Sequence, residues 1–128
     1  MTITEENELP WLFLCHGSAN VGQLGNDAAR ELFKEGSLKI ACIAAVGAHN
    51  PDFIKPFQSG RTVFCVDGCP MKCASRTLEH GNIPVVNSMI VTDLGIEKNH
   101  DLNLNGEELE RVKAGISTLV KGVTPRKI

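Results

Sequence analysis

Short apolar runs recur along the chain and alternate with longer segments in which apolar residues fall at helical spacing. An uninterrupted apolar run is typical of a strand that is buried on both faces, as in a parallel sheet. Residues 11–14 form such a run, and strands are also predicted over 38–42, 61–66 and 84–90, where apolar residues predominate. The stretch 41–45 fits the end of the second strand and a helix equally well, so this boundary stays open.

The segments between the predicted strands carry the start and stop signals of helices. Asn20 can cap a first helix, and Asn105 opens a capping box with Glu108 at the start of the last one. In these two segments the apolar residues share one helix face. The predicted helices lie between Asn20 and Gly36, over 51–58, over 69–80 with Gly81 just past its end, and between Asn105 and Gly122, with Pro125 beyond.

Strands that alternate with helices imply right-handed crossovers and a parallel sheet with helices on both faces. The predicted fold is therefore α/β, a single-domain open parallel sheet of about four strands in the doubly wound arrangement. The length of 128 residues fits one domain. Residues 1–10, which are polar and acidic and end in a proline, are expected to form a flexible arm ahead of a domain over 11–124.

Composition and charge narrow the class of protein. A net charge of -2 offers no attraction to phosphate backbones or anionic lipid headgroups, so neither nucleic acid nor membrane is an expected partner. No apolar run approaches the roughly 20 residues that span a bilayer, and the acidic N-terminus does not fit a signal peptide. We therefore expect a cytoplasmic protein whose 5 cysteines are kept reduced. Its expected partner is a metal ion, together with a protein that the sequence does not identify.

The cysteines follow the ends of the predicted strands. In an open parallel sheet, ligands bind beyond the carboxyl ends of the strands, where the loops converge. Cys15 and Cys42 close the first and second strands, Cys69 follows the third, and Cys73 lies one helical turn later on the same predicted helix. Four thiolates at one edge match the closed tetrahedral set of a structural zinc site. The sequence thus predicts one zinc ion bound by these four side chains.

Other polar and thiol side chains near this edge have different predicted roles. Cys65 lies inside the third strand and is assigned to the core, with metal ligation as the alternative. Asp67 follows that strand and is expected to cap the next helix, or to orient a metal ligand through a hydrogen bond. His16 adjoins Cys15 and could replace a thiolate, although an exposed loop position is the commoner outcome. The remaining histidines are expected in solvent: His49, His80 and His100.

The segment 66–74, Val-Asp-Gly-Cys-Pro-Met-Lys-Cys-Ala, resembles the motif of a little-characterised prokaryotic family, the DGC-domain proteins, which are named for Asp-Gly-Cys. The segment 15–24 is similar to the family's N-terminal Cys, Gly-Ser, Asn and Gly-Gln signature, and Cys42 to its second cysteine region. The resemblance covers residues 11–95 and extends to the C-terminal helix. It implies zinc at the same four cysteines, leaves Cys65 outside the set, and offers no established catalytic activity to carry over.

Other functions would use the same residue types. Soft thiolates also suit thiol-redox chemistry or an iron–sulfur cluster, which is the alternative to zinc. A phosphatase or arsenate reductase would carry an arginine six residues after its cysteine, whereas Val21 stands there after Cys15. Gly17, Gly22 and Gly25 do not form the phosphate-binding patterns of nucleotide-binding modules. Metal binding is therefore the leading hypothesis, and no catalytic residue is predicted.

Overall fold

A parallel sheet forms the centre of the molecule in a computed structural model, which describes residues 9–121. Its four strands have the order β2-β1-β3-β4. They are β1 (Trp11–Leu14), β2 (Lys39–Ala41), β3 (Val63–Asp67) and β4 (Asn87–Ile90). Each lies within its predicted range, except that β3 continues to Asp67. The continuous burial of β3 explains its unbroken apolar sequence from Val63 to Val66. The predicted α/β open parallel sheet is confirmed.

Helices connect the parallel strands and cover both faces of the sheet. They are α1 (Asn20–Lys34), α2 (Ile43–Gly47), α3 (Pro51–Gln58), α4 (Cys73–His80) and α5 (Gly106–Lys121). A 3-10 turn, Val91–Leu94, follows β4, and a loop over 95–105 leads to α5. The prediction for α3 is confirmed to the residue. The structure contains both elements that the sequence allowed after residue 38. The strand β2 ends at Ala41, and the helix α2 begins two residues later.

Two apolar clusters fill the space on either side of the sheet. Alternate residues of β1 point to opposite faces, so Leu12 and Leu14 enter one cluster and Phe13 enters the other. The first cluster joins α1 and α5 to the sheet, and the second joins α2, α3 and α4 to it. Both faces are therefore buried, which is the physical condition for a parallel sheet.

The predicted helix over 69–80 begins later than expected, at Cys73. Lys72, which directly precedes it, has φ 54° and ψ 45°, in the left-handed region, so a right-handed helix cannot run through this residue. Cys69 to Lys72 instead form a turn, in which the Lys72 N–H donates to the Cys69 carbonyl at 3.1 Å. The prediction that Cys69 and Cys73 share one helix face was therefore wrong.

Of the two predicted helix caps, Asn20 was wrong and Asn105 is confirmed. Asn20 is the first residue of α1 and not its cap; the extended residue before it, Ala19, provides no side-chain cap. Asn105 does cap α5, because its side-chain oxygen accepts from the N–H groups of Glu107 at 2.8 Å and Glu108 at 3.0 Å. The predicted stop signals of this helix, Gly122 and Pro125, lie outside the described residues.

The start of the described chain is already part of the fold. Residues 1–8 of the predicted arm lie outside the described range, but Pro10 is buried and its carbonyl accepts from the Lys39 N–H at 2.9 Å. Contact with β2 thus begins before β1 itself. Among residues 9–121, no helix combines the length and the apolar character that crossing a bilayer requires.

Candidate metal centre

A small cavity lies at the carboxyl edge of the sheet, where the loops after β1 and β3 meet the first turn of α1. Its volume is about 120 Å³, and Cys15, Cys69 and Cys73 line it, together with Lys98 and His100. The fold thus brings three of the four predicted ligands to one place. A larger groove of about 920 Å³ between α4 and β4 contains none of the predicted ligands, so we place the candidate site at the smaller cavity.

The loop after β1 is held against α1 by contacts that require glycine. The Cys15 N–H donates to the Val66 carbonyl at 3.0 Å, which extends the pairing of β1 with β3 by one residue. A Cβ atom on Gly22 would lie 2.8 Å from the carbonyl oxygen of Gly17, closer than real Cβ atoms come. The Gln23 side-chain amide donates to the same carbonyl at 2.9 Å. These contacts fix the loop that carries Cys15 beside the first turn of α1.

Asp67 fixes the start of α4, and with it the position of Cys73. Its carboxylate is buried and accepts from the N–H groups of Ala74 at 2.8 Å and Ser75 at 3.3 Å, and also from the Ser75 hydroxyl. These are orphan donors of the first helical turn, so Asp67 caps the helix as predicted. The helix it caps begins with Cys73, not with Cys69.

The surroundings of the cavity favour negative charge. The first turn of α1 lines it, and the positive end of a helix dipole attracts anionic groups. The Lys98 ammonium lies 3.5 Å from the Cys69 sulfur. These positive groups would offset part of the negative charge that thiolate ligands carry when they bind a metal ion.

Cys42 is not part of the cavity. It is exposed and directly precedes α2 at the end of β2, the edge strand beyond β1. Within residues 9–121, moreover, no three Cys, His, Asp or Glu side chains already stand close enough together to hold a metal ion. The donor chemistry of the cavity fits a thiophilic ion such as zinc. The predicted set of four thiolates, however, is not assembled in the described chain, and Cys42 as a ligand stays a prediction.

Cys65 lies in the core, as its strand position predicted. Its side chain is 0% exposed and packs in the cluster that joins α2, α3 and α4 to the sheet. Burial raises the pKa of the Cys65 thiol from 9.0 to about 12, and the Ser75 hydroxyl, whose oxygen lies 3.6 Å from the sulfur, opposes this only in part. A thiol that stays protonated at neutral pH is a poor metal ligand.

The histidines differ from one another in their relation to the cavity. His16 is exposed and does not line it, although Cys15 is its neighbour in the chain. His100 is also exposed, as predicted, yet it lines the cavity with the three cysteines. Sequence reasoning missed this residue because it arrives on the loop 95–105, at a sequence distance from Cys15, Cys69 and Cys73 that forms no metal-ligand spacing.

A family model described as the DGC domain matches residues 11–116. The chain belongs to the DGC-domain family. It is also similar to the "Anaerobic and virulence modulator AnvM" of Pseudomonas aeruginosa, at 28% identity over 115 residues, which cover 90% of this chain and 88% of that protein. No solved structure matches the chain significantly.

The Asp-Gly-Cys motif of this DGC-domain chain has a physical explanation residue by residue. Asp67 caps α4, as described above. Gly68 packs against the first turn of α1, where an added Cβ would lie 3.0 Å from the Gly22 nitrogen and 3.1 Å from the Val21 side chain. Cys69 follows at the wall of the cavity. The motif therefore joins two helices to the candidate site.

Proposed function

We propose that this chain is a metal-binding protein and that it binds one zinc ion at the cavity lined by Cys15, Cys69 and Cys73. The observation that carries the proposal is the convergence of these thiols, from two loops more than fifty residues apart in the chain, on one small cavity. Bound there, the ion would link the loops after β1 and β3, and its binding free energy would contribute to folding.

The number of thiols at the cavity favours zinc over an iron–sulfur cluster. Cubane and [2Fe–2S] clusters are held by four cysteines as a rule, whereas zinc also accepts three cysteines and one histidine. Three cysteines line the cavity, and the buried Cys65 lies outside its lining. The positive end of the α1 dipole and the Lys98 ammonium would offset the negative charge of the thiolates.

We further propose that the site serves a regulatory or structural task and not catalysis. AnvM is named as a modulator, and its similarity extends over most of both chains. No catalytic pattern emerges from the sequence beside the cysteines. A reducing cytoplasm would keep the thiols available to the metal. An unidentified protein partner would complete such a role.

Metal analysis of the purified protein tests the proposal. We expect about one zinc ion per chain in the wild type, as for a single thiolate site. In Cys69→Ala the zinc content should fall sharply, because a charged ligand is removed from the site. Cys65→Ala serves as the matched control, since it removes a thiol that does not line the cavity, and it should retain its zinc.

Three results would contradict the proposal. They are a wild type without metal, a wild type that carries chiefly iron, and zinc that is lost in Cys65→Ala but kept in Cys69→Ala. An iron–sulfur protein would in addition be brown and would lose its colour on oxidation or reduction. Circular dichroism of each variant checks that loss of zinc does not simply reflect loss of the fold.

A further inference from the structure

The loop over 95–105 is tied to the first turn of α1 by one buried side chain. Asn20 is 3% exposed, and its amide nitrogen donates to the Glu97 carbonyl at 2.9 Å while its amide oxygen accepts from the Asn99 N–H at 2.7 Å. The Asn20 backbone N–H also donates to the Asn99 carbonyl, at 3.0 Å. A buried amide with both ends satisfied across almost eighty residues of chain holds this loop at a defined place.

The place at which Asn20 holds the loop is the cysteine cavity. The residues on either side of Asn99 are Lys98 and His100, and both line the cavity with the three cysteines. Lys98 reaches the Cys69 sulfur, as described above. The side chain of His100 is exposed and so can rotate toward the thiols without disturbing the core.

Cys42 lies outside this group. It follows β2, is exposed, and does not line the cavity, whereas His100 does. β1 lies between β2 and β3, so the ends of β2 and β3 are about 10 Å apart at the spacing of neighbouring strands. The zinc-binding side chains that line the cavity are therefore three cysteines and one histidine.

We infer that His100 is the fourth ligand of the metal site, in place of Cys42. The inference rests on the proposed zinc function and specifies its ligand set as three cysteines and one histidine, a closed set that zinc adopts in structural sites. Charge supports this set. Zinc with three thiolates carries one negative charge, which the Lys98 ammonium balances, whereas zinc with four thiolates would carry two.

Closure of the site requires rotation of side chains. Within the described part of the chain, no three candidate ligands are yet within joint reach of one ion. Cys73 and His100 are exposed, and Cys15 and Cys69 are half-buried, so none of the four is locked in the core. The backbone segments that carry them are fixed by the Gly22, Asp67 and Asn20 contacts described above.

Metal affinity and cobalt spectroscopy test the inference. Zinc affinity is measured by competition with a chromogenic chelator in the wild type, His100→Ala, Cys42→Ala and the control His80→Ala, which removes an exposed histidine outside the cavity. His100→Ala should bind zinc more weakly by more than the roughly 10- to 100-fold that loss of an outer-shell partner causes. Cys42→Ala and His80→Ala should match the wild type.

Cobalt(II) provides a readout that counts the thiolate ligands directly. The intensity of the sulfur-to-cobalt charge-transfer band rises with the number of bound thiolates. The band should be unchanged per bound ion in Cys42→Ala and reduced by about one third in Cys69→Ala, since one of three thiolates is lost. In His100→Cys, tight binding should persist and the band should increase, because a fourth thiolate replaces the imidazole.

The outcomes separate the inference from the function on which it rests. If the wild type binds neither zinc nor cobalt, the proposed function fails. If the wild type binds zinc tightly, but Cys42→Ala weakens binding and His100→Ala does not, the metal function stands and the His100 assignment is overturned. His100→Ala changes an exposed loop residue, and an unaltered urea midpoint of the metal-free protein would show that it still folds. The His100→Cys result decides the assignment even if the alanine variant is unstable.

Discussion

Replacement of Cys65 by alanine tests the buried thiol through the pH dependence of stability. The side chain is fully buried in β3, and truncation to alanine removes one sulfur atom and its contact with Ser75. The expected cost at pH 7 is about 1.4 kcal/mol, in the range of a small cavity in a core. For a chain of this length, that corresponds to a fall of roughly 3–6 °C in Tm.

The difference in the free energy of unfolding between the wild type and Cys65→Ala should change sign in alkaline solution. Burial raises the pKa of the folded thiol from 9.0 to about 12, so the contribution of the protonated thiol to stability is fully present below pH 9. Above pH 9 the unfolded thiol ionises while the folded one stays protonated, and the wild type loses stability as the pH rises toward 12. The loss is about 1.4 kcal/mol for each pH unit in this window, and the alanine variant does not share it. The two stability curves should therefore cross near pH 10, with about 1.4 kcal/mol lost by that point.

Urea denaturation at a series of pH values between 7 and 11 measures the effect, with Trp11 fluorescence and circular dichroism as probes. The difference between the two proteins isolates Cys65, because every other titrating group is common to both. Zinc content is measured in parallel, and it should be equal in the wild type and Cys65→Ala. A constant difference across the whole pH range would refute the argument, because it would show that the folded thiol ionises as freely as the unfolded one.

Two further predictions concern the contacts that build the site. Gly22→Ala should destabilise the protein by about 1–3 kcal/mol in urea denaturation, because its Cβ would collide with the backbone of Gly17. In the control Gly106→Ala the added Cβ meets nothing within 4 Å, so the urea midpoint should be unchanged or higher. Equal midpoints for the two variants would contradict this prediction. Asp67→Ala should cost about 1–2 kcal/mol because α4 loses its cap, while the exposed control Asp52→Ala should change stability by less than about 0.5 kcal/mol. Thermal melts of both aspartate variants check this, and similar Tm values would rule out the capping role.

The sequence alone determined the layered architecture and the approximate place of the site. Short, mainly apolar runs with Gly, Pro and Asn between them predict buried parallel strands and connecting helices, because burial on both faces removes the regular alternation of polar and apolar residues. Cysteines at the ends of such strands must meet at one edge of the sheet. The core position of Cys65 and the capping role of Asp67 followed from the same local rules.

The tertiary structure decided which of the side chains at that edge lie together. The left-handed backbone conformation of Lys72 delays the start of α4 to Cys73. Local sequence rules do not predict this conformation, because glycine and not lysine is the residue that commonly adopts it. The strand order places β1 between β2 and β3, and Cys42, which follows β2, does not line the cavity. His100 lines the cavity on a loop that Asn20, almost eighty residues away in the chain, ties to the first turn of α1. Periodicity and capping rules act over a few residues, whereas these pairings depend on strand order and on hydrogen bonds that form only when distant segments have packed.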